Sequence, residues 1–288
     1  MNVGVVGTGA MGLGVVGSLR RHGVPTFARD IVPGRMAQAA ALGAWPTASP
    51  AELARGADVV ILLVVDEAQI EDVLFGAKGA AQALHAGTIV VVSSTVDPQY
   101  VAALPGRLAG CGAKVLDAPV SGGPAKAADG TMTMMLSGAA EVRERCAAML
   151  DRIAGRVFAV GERPGEAMTF KIVNNLLAAA NLAAGAQALV LAQRAGIDPA
   201  RALEVINASS GASWIVAERM ARELAGRREV LAATRILAKD VGIAAALAQR
   251  VGAPASFAQA ALAAFHGAVE AGYGEEDDAA LLRYFAQQ

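Results

Sequence analysis

The most constraining feature of this chain lies at its start. An apolar run, Asn2–Val6, leads straight into Gly7-Thr8-Gly9-Ala10-Met11-Gly12, which opens a stretch of helical character, Met11–Arg21. Glycines at this spacing carry meaning only between a strand and a helix, and that is where they stand. Gly7 permits the tight turn, Gly9 lets backbone approach a pyrophosphate, and Gly12 lets the helix pack closely on the strand. The anion then sits at the helix N-terminus, beside Ala10 and Met11, where unpaired N–H groups and the helix dipole favour it. A second strand, Val24–Ala28, is followed by Asp30. A carboxylate there accepts hydrogen bonds from ribose hydroxyls and repels a 2′-phosphate, so the segment predicts a dinucleotide site that takes NAD and disfavours NADP. Arg29 beside it has two readings, a receptor for a 2′-phosphate or an exposed residue along the adenine face.

Beyond this opening, short β-branched runs alternate with helix-like stretches. The expected strands continue with Val59–Val64, Thr88–Val92, Lys114–Leu116, Met132–Leu136 and Arg156–Val160, and the helices with Arg35–Leu42 and Ala139–Leu150. Such alternation means βαβ units and a mostly parallel sheet covered on both faces. The pattern changes after Gly165, beyond which no strand is expected. A long helix runs from Glu166 to about Ala195 and stops at Gly196, and Asp198-Pro199 starts another. Further helices are expected at Ser213–Leu224, Val230–Gln249 and Ser256–Ala271, with a short last one from Asp278. The fold class is therefore α/β: an N-terminal Rossmann domain with a doubly wound, mostly parallel sheet, followed by an all-α domain. Gly, Pro and charge cluster at Glu162–Gly165, which sets the expected domains at 1–163 and 164–288.

Composition narrows the partners. Among 288 residues the net charge is −1 and basic residues form no stripe, which excludes a nucleic-acid partner. Apolar residues make up 55% and aromatics 4%, so Ala, Val and Leu must fill the interior. The longest apolar stretch, Leu176–Ala192, contains Asn181 and Gln187 and reads as a buried helix, so no membrane association is expected. The N-terminus enters a strand without a basic region or cleavage site, so no signal peptide is expected. The two cysteines, Cys111 and Cys146, and the three histidines have no metal-ligand spacing, and the expectation is a cytoplasmic protein with reduced thiols and no metal.

Polar residues in apolar surroundings mark the candidate chemistry. Lysine is scarce, five against twenty arginines, and Lys126, Lys171 and Lys239 all fall in motif-like stretches. Lys171-Ile172-Val173-Asn174-Asn175 lies on the long helix, and Lys171 and Asn175, four apart, share a face. A lysine on so apolar a helix loses solvation, which favours its neutral form and lets it exchange a proton with a substrate hydroxyl. The other reading is a lysine reaching outward at a domain edge. Asp117-Ala118-Pro119-Val120-Ser121-Gly122-Gly123-Pro124 follows a strand, where ligands of such sheets bind. Its Ser-Gly-Gly offers N–H groups beside a hydroxyl, a cradle for a carboxylate or simply a glycine turn. Lys239-Asp240 reads equally as a solvated pair, and Trp214 as a pocket wall or as core.

Taken together, Gly7–Gly12, Asp117–Gly123, Lys171–Asn175 and Lys239-Asp240, in that order across the whole chain, resemble the β-hydroxyacid dehydrogenases, which include 3-hydroxyisobutyrate dehydrogenase, tartronate semialdehyde reductase and 6-phosphogluconate dehydrogenase. The resemblance implies an NAD(P)-dependent oxidoreductase acting on a small hydroxy acid, and a homodimer or homotetramer built with the long helix. It implies Lys171 as general acid/base, Asn175 as the residue orienting substrate and lysine, and Ser121, Gly122 and Gly123 as the carboxylate cradle. It places Thr95 near the nicotinamide ribose, Val64 and Val65 along the cofactor groove, and Lys239 near cofactor and substrate. Val64–Gln69, Val73–Gly76, Ser121–Met134 and Ala271–Asp278 are similar to the branch that oxidises the C2 hydroxyl of the four-carbon acid L-threonate. Arg235 stands where that branch would carry an acidic residue, and no aromatic precedes Lys239. As i and i+4 on one helix, Arg235 and Lys239 could both reach a substrate, or Arg235 could be a surface residue. A non-catalytic dinucleotide-binding protein is a competing class, but a scaffold needs neither Lys171 nor Asn175. An imine-reducing relative would lack Lys171. Lactate- and malate-type enzymes require a catalytic histidine, and no histidine here stands in a loop after a strand.

Overall fold

A computed structural model describes residues 1–288. The strands are β1 (Val3–Val6), β2 (Thr26–Arg29), β3 (Trp45–Pro46), β4 (Val59–Leu62), β5 (Ile89–Val92), β6 (Lys114–Asp117), β7 (Val120–Ser121), β8 (Met132–Ser137) and β9 (Ala154–Gly161). They form one sheet in the order β3-β2-β1-β4-β5-β6-β8-β7, with β9 joined to β8. From β3 to β6 every pairing is parallel. β8 then runs antiparallel to β6 and β7 and parallel to β9.

The consecutive apolar residues of the central strands are explained by two cores. Val59 and Ile61 of β4 and Ile89 and Val91 of β5 enter one cluster; Val60, Leu62, Val90 and Val92 enter the other. A strand covered on both faces has no polar side to alternate with. The covering helices are α1 (Ala10–Arg21), α2 (Pro33–Ala41), α3 (Pro50–Gly56), α4 (Glu67–Phe75), α5 (Pro98–Leu108), α6 (Gly123–Asp129) and α7 (Ala140–Leu150). Three of them start at local side-chain caps: Ser49, Asp66 and Asp97 each accept a backbone N–H two or three residues on.

The seven strands expected from sequence are all present. Two-residue β3 and β7 are additional, and both are too short to carry a periodic signal. The chain divides into two compact units, Met1–Lys171 and Ile172–Gln288. The division falls inside α8 (Glu166–Arg194), whose first turn is bonded to the sheet of the N-terminal unit. By length and composition α8 is apolar enough to cross a membrane, although the sequence reading found no such stretch. That reading began the apolar stretch at Leu176, ten residues later than the helix itself.

The second unit continues with α9 (Pro199–Asn207), α10 (Trp214–Leu224), α11 (Thr234–Val251), α12 (Ser256–Ala268) and α13 (Leu281–Ala286). Gly196 is left-handed after α8, and Asp198 caps α9 through Ala200 N–H. Two helix boundaries differ from expectation. The helix expected from Val230 begins at Thr234, because Leu231 and Ala232 donate their N–H groups to Asp277 and Ala233 forms a β-bridge with it. The helix expected to reach Ala271 stops at Ala268 and loosens into a π-turn, Val269–Tyr273, which ends its helical course at the left-handed Gly272. The Ala- and Leu-rich core of this unit gathers around Phe265, Leu182 and Leu189.

Candidate active site

The glycine loop has the geometry its spacing predicts. Gly7 has φ +91°, and a Cβ there would stand 2.6 Å from the Leu63 carbonyl. A Cβ on Gly12 would stand 1.9 Å from Gly7 O. Gly9, by contrast, would meet nothing within 4 Å, so the space over the start of α1 is open. No side chain caps α1 and no acid lies in its first turn, which leaves its positive end available. Ala10 is exposed and Met11 half-buried at that end. Thr8 Oγ1 is buried without a hydrogen-bond partner. Asp30 is buried; its carboxylate accepts Thr8 N–H at 2.7 Å and Val32 N–H at 2.9 Å, with Arg35 Nη1 at 3.7 Å. Asp30 thus ties the end of β2 to the glycine loop. A cavity of about 410 Å³ adjoins it, lined by Arg29, Ile31, Pro33, Met36 and Thr47 among others. Half-buried Val64, Val65 and Thr95 follow β4 and β5, at the same carboxyl end of the sheet. An uncapped helix start under an uncovered glycine, with a carboxylate at the next strand end, fits a nicotinamide dinucleotide.

The Ser-Gly-Gly stretch is also at the carboxyl end of the sheet, after β6. Ser121 is half-buried and pairs in register with Thr133. Gly122 and Gly123 have φ +133° and +77°, a backbone course that side chains with a Cβ rarely follow. A Cβ on Gly123 would meet nothing within 4 Å. This turn can present N–H groups and a hydroxyl together.

Asp117, which the sequence grouped with that patch, is directed elsewhere. Its Oδ2 accepts Gly165 N–H at 2.8 Å, Met168 N–H at 2.9 Å and the Ser137 hydroxyl at 3.0 Å. Burial pushes its carboxyl up to about 6, against the pull of those bonds. Lys171 follows on α8 and is buried, 9% exposed. Asn175, one turn further, is buried as well, whereas Val173 and Asn174 between them are exposed.

In the C-terminal unit Asp240 joins two of the expected residues. Asn175 Nδ2 donates to Asp240 Oδ2 at 2.7 Å, and Lys239 Nζ donates to Asp240 Oδ1 at 2.7 Å. Asp240 is 4% exposed, so Lys239-Asp240 is not the solvated pair its sequence allows. Nothing local marks this acid, since its partner Asn175 lies 65 residues earlier. Trp214 is 64% exposed at the start of α10 and belongs to neither core nor enclosure. Arg235 is a surface residue: its Nε donates to Glu275 Oε1 at 2.6 Å, and both side chains are largely exposed.

Comparison with known proteins agrees with this construction. Residues 2–161 match the family profile described as the NAD-binding domain of 6-phosphogluconate dehydrogenase. Residues 165–285 match that described as the NAD-binding part of NADP-dependent 3-hydroxyisobutyrate dehydrogenase. The chain is 44% identical to an L-threonate dehydrogenase of Cupriavidus necator over 284 residues, covering 99% of this chain and 96% of that one. It is 40% identical to one from Escherichia coli, covering 99% and 95%. A crystal structure described as 3-hydroxyisobutyrate dehydrogenase from Salmonella typhimurium superposes with a TM-score of 0.91 at 38% identity, covering 98% of this chain and 99% of that one. Glycine loop, buried lysine and full-length similarity converge: the chain belongs to the β-hydroxyacid dehydrogenases, the NAD(P)-dependent oxidoreductases related to 3-hydroxyisobutyrate and 6-phosphogluconate dehydrogenases.

Proposed function

We propose that this protein oxidises the C2 hydroxyl of L-threonate with NAD. The observation that carries the substrate is full-length similarity to five L-threonate dehydrogenases at 38–44% identity, against 28% for the mammalian 3-hydroxyisobutyrate enzymes. In this reading neutral Lys171 takes the hydroxyl proton. Asn175, held by Asp240, fixes the alignment of hydroxyl and lysine. The Ser121 hydroxyl and the N–H groups of Gly122 and Gly123 receive the substrate carboxylate. Bound at the glycine loop, the nicotinamide supplies the acceptor for the hydride leaving the same carbon. Val64, Val65, Thr95 and Lys239 hold the cofactor in place. The chain's contribution is position and electrostatics.

NAD is favoured over NADP because Asp30 is buried at the ribose end with both oxygens already fixed by Thr8 and Val32, so a 2′-phosphate would meet a carboxylate that cannot swing away. A homodimer or homotetramer in the cytoplasm completes the proposal. Exposed Phe170, Val173 and Leu177 at helical spacing along α8 support self-association. Oxidation of 3-hydroxyisobutyrate is the second reading, favoured by the description of the Salmonella structure.

The test is the initial rate of NADH formation with L- and D-threonate, L- and D-erythronate, D-glycerate and 3-hydroxyisobutyrate, repeated with NADP. Turnover of L-threonate with NAD is expected. Turnover of 3-hydroxyisobutyrate or glycerate alone would overturn the substrate while keeping the reaction. Lys171→Ala should lower kcat by about 10²–10⁴-fold, the range of a lost acid/base group, with NADH binding intact.

A further inference from the structure

We propose that Asp117 and Ser137 form a positioning pair that sets the first turns of α8, and with them Lys171, against the Ser121–Gly123 turn. The proposal rests on Lys171 being the acid/base group. Asp117 ends β6 and Ser137 ends β8; the two are register partners in the antiparallel pairing of those strands, and both side chains are fully buried. Their polar atoms are shared with α8. Asp117 Oδ2 takes Gly165 and Met168 N–H, while Ser137 Oγ donates to Asp117 and accepts Ala167 N–H at 2.9 Å. Three N–H groups at the start of the helix are thereby met by two side chains of the sheet.

Other capped helices in this chain use the residue just before them. Ser49, Asp66, Asp97 and Asp198 reach only two or three residues forward. A local cap starts a helix but leaves its direction free, whereas this one reaches from Asp117 to Met168, 51 residues on, and fixes the helix to the strand ends. Gly165 tightens the constraint. It has φ +99°, and a Cβ there would stand 2.5 Å from the Pro98 carbonyl, so the entry into α8 is pressed against the start of α5.

Both reacting stretches leave from this pair. Lys171 lies three residues beyond Met168, less than one turn, and Ser121 lies four residues beyond Asp117. A shift of the cap therefore moves the lysine amine relative to the carboxylate-binding turn, where about 1 Å of misplacement costs on the order of 10²-fold in rate. The arrangement is also expensive in stability. Asp117 Oδ1 is buried without a hydrogen-bond partner, and burial pushes the carboxyl up. A site chosen only to start a helix would not carry that load.

The experiment uses the full chain with L-threonate, or whichever hydroxy acid of the panel is turned over, and counts active sites by NADH fluorescence titration. Ser137→Ala and Asp117→Ala should each lower kcat per NADH-binding site about 10- to 100-fold. NADH affinity should stay within about threefold, and the loss should fall on kcat rather than on KM. Asp117→Asn, which keeps an acceptor oxygen at the Oδ2 position, should recover most of kcat. If the alanine variant of Asp117 does not fold, Ser137→Ala decides. Lower yield or Tm with wild-type kcat per site in Ser137→Ala would make the pair merely structural and overturn the proposal. Full activity in Lys171→Ala would remove the premise and the proposal with it. An inactive Lys171→Ala beside a fully active Ser137→Ala would sink the proposal alone and leave the function standing.

Discussion

In the N-terminal unit the buried carboxylates of Asp30 and Asp117 are met chiefly by backbone N–H groups, whereas in the C-terminal unit those of Glu223, Asp277 and Asp278 are met chiefly by arginines. Asp30 holds the glycine loop and Asp117 the start of α8, so each acid shapes a backbone segment that the chemistry needs. On the other side Arg219 bonds Asp278 at 2.7 Å, Arg222 bonds Asp277 at 2.8 Å, and Glu223 receives Arg228 and Arg283. These pairs clamp α10 to the segment before α13. In a unit built mainly of Ala and Leu, with few aromatics, charged side chains supply reach that small apolar ones lack. Partner type thus separates two tasks, setting a backbone course and tying helices together.

The largest effect expected from this contrast is on stability. Burial pushes the Asp278 carboxyl up even against Arg219, so Arg219 is its main compensation. Arg219→Met leaves Asp278 buried without it and should cost about 3–5 kcal/mol in urea unfolding, the usual penalty for breaking a buried pair from one side. Adding Asp278→Leu should restore part of that loss, because an apolar pair has no charge to desolvate. A single variant within 1 kcal/mol of wild type, on the same scale of roughly 3–5 kcal/mol, would mean that the arginine is dispensable to the clamp.

The next effect is on pH dependence and belongs to the other side. Asp117 titrates near 6 in the folded chain against an ordinary value of 3.8. Its neutral form is the one the fold prefers, so its favourable contribution is full below about pH 4 and is lost as pH rises through 6. At about 1.4 kcal/mol per unit the loss by pH 7 is on the order of 3 kcal/mol. Subtracting the unfolding free energy of Asp117→Asn from that of wild type at pH 4, 5, 6 and 7 isolates this group. The difference should fall with rising pH. Asp277 has the opposite sign: burial raises its carboxyl, but N–H bonds from Leu231, Ala232 and Ala279 and the charge of Arg222 bring it below the ordinary value. A flat difference for Asp117 would mean that its N–H partners offset the burial as fully as those of Asp277 do.

The contrast also separates what could be read from sequence. The glycine loop, the seven main strands and the start of α8 follow from periodicity and turn chemistry, which act over a few residues. Lys171 and Asn175 stood out because polar residues on an apolar helix are locally conspicuous. The side chains that hold them did not. Asp117 looked like one member of a polar loop, and Asp240 like half of a surface pair, because their partners lie 51 and 65 residues away and only the folded topology brings them together. Trp214 shows the converse: a lone tryptophan looks like core or wall, yet here it is exposed at a helix start. Local pattern finds the groups that act, and tertiary topology finds the groups that aim them.

Arg235 gives the smallest and sharpest version of the comparison, since it is an arginine–carboxylate pair outside the buried set. Four residues before Lys239 on α11, it could by spacing alone have turned toward a substrate. Its guanidinium instead bonds Glu275, with side chains 44% and 80% exposed. Solvent screens such a pair, and its loss is worth about 0–1 kcal/mol. Arg235→Ala should therefore leave the unfolding midpoint nearly unchanged and leave KM for the hydroxy acid within about twofold, a difference of roughly 0.4 kcal/mol. A KM raised tenfold or more, about 1.4 kcal/mol, would place Arg235 in substrate recognition and make its bond to Glu275 a resting position. Replacing Glu275 with Gln then separates the alternatives. An arginine engaged only with Glu275 leaves the kinetics untouched when released, while one drawn to substrate lowers KM once its competitor is gone.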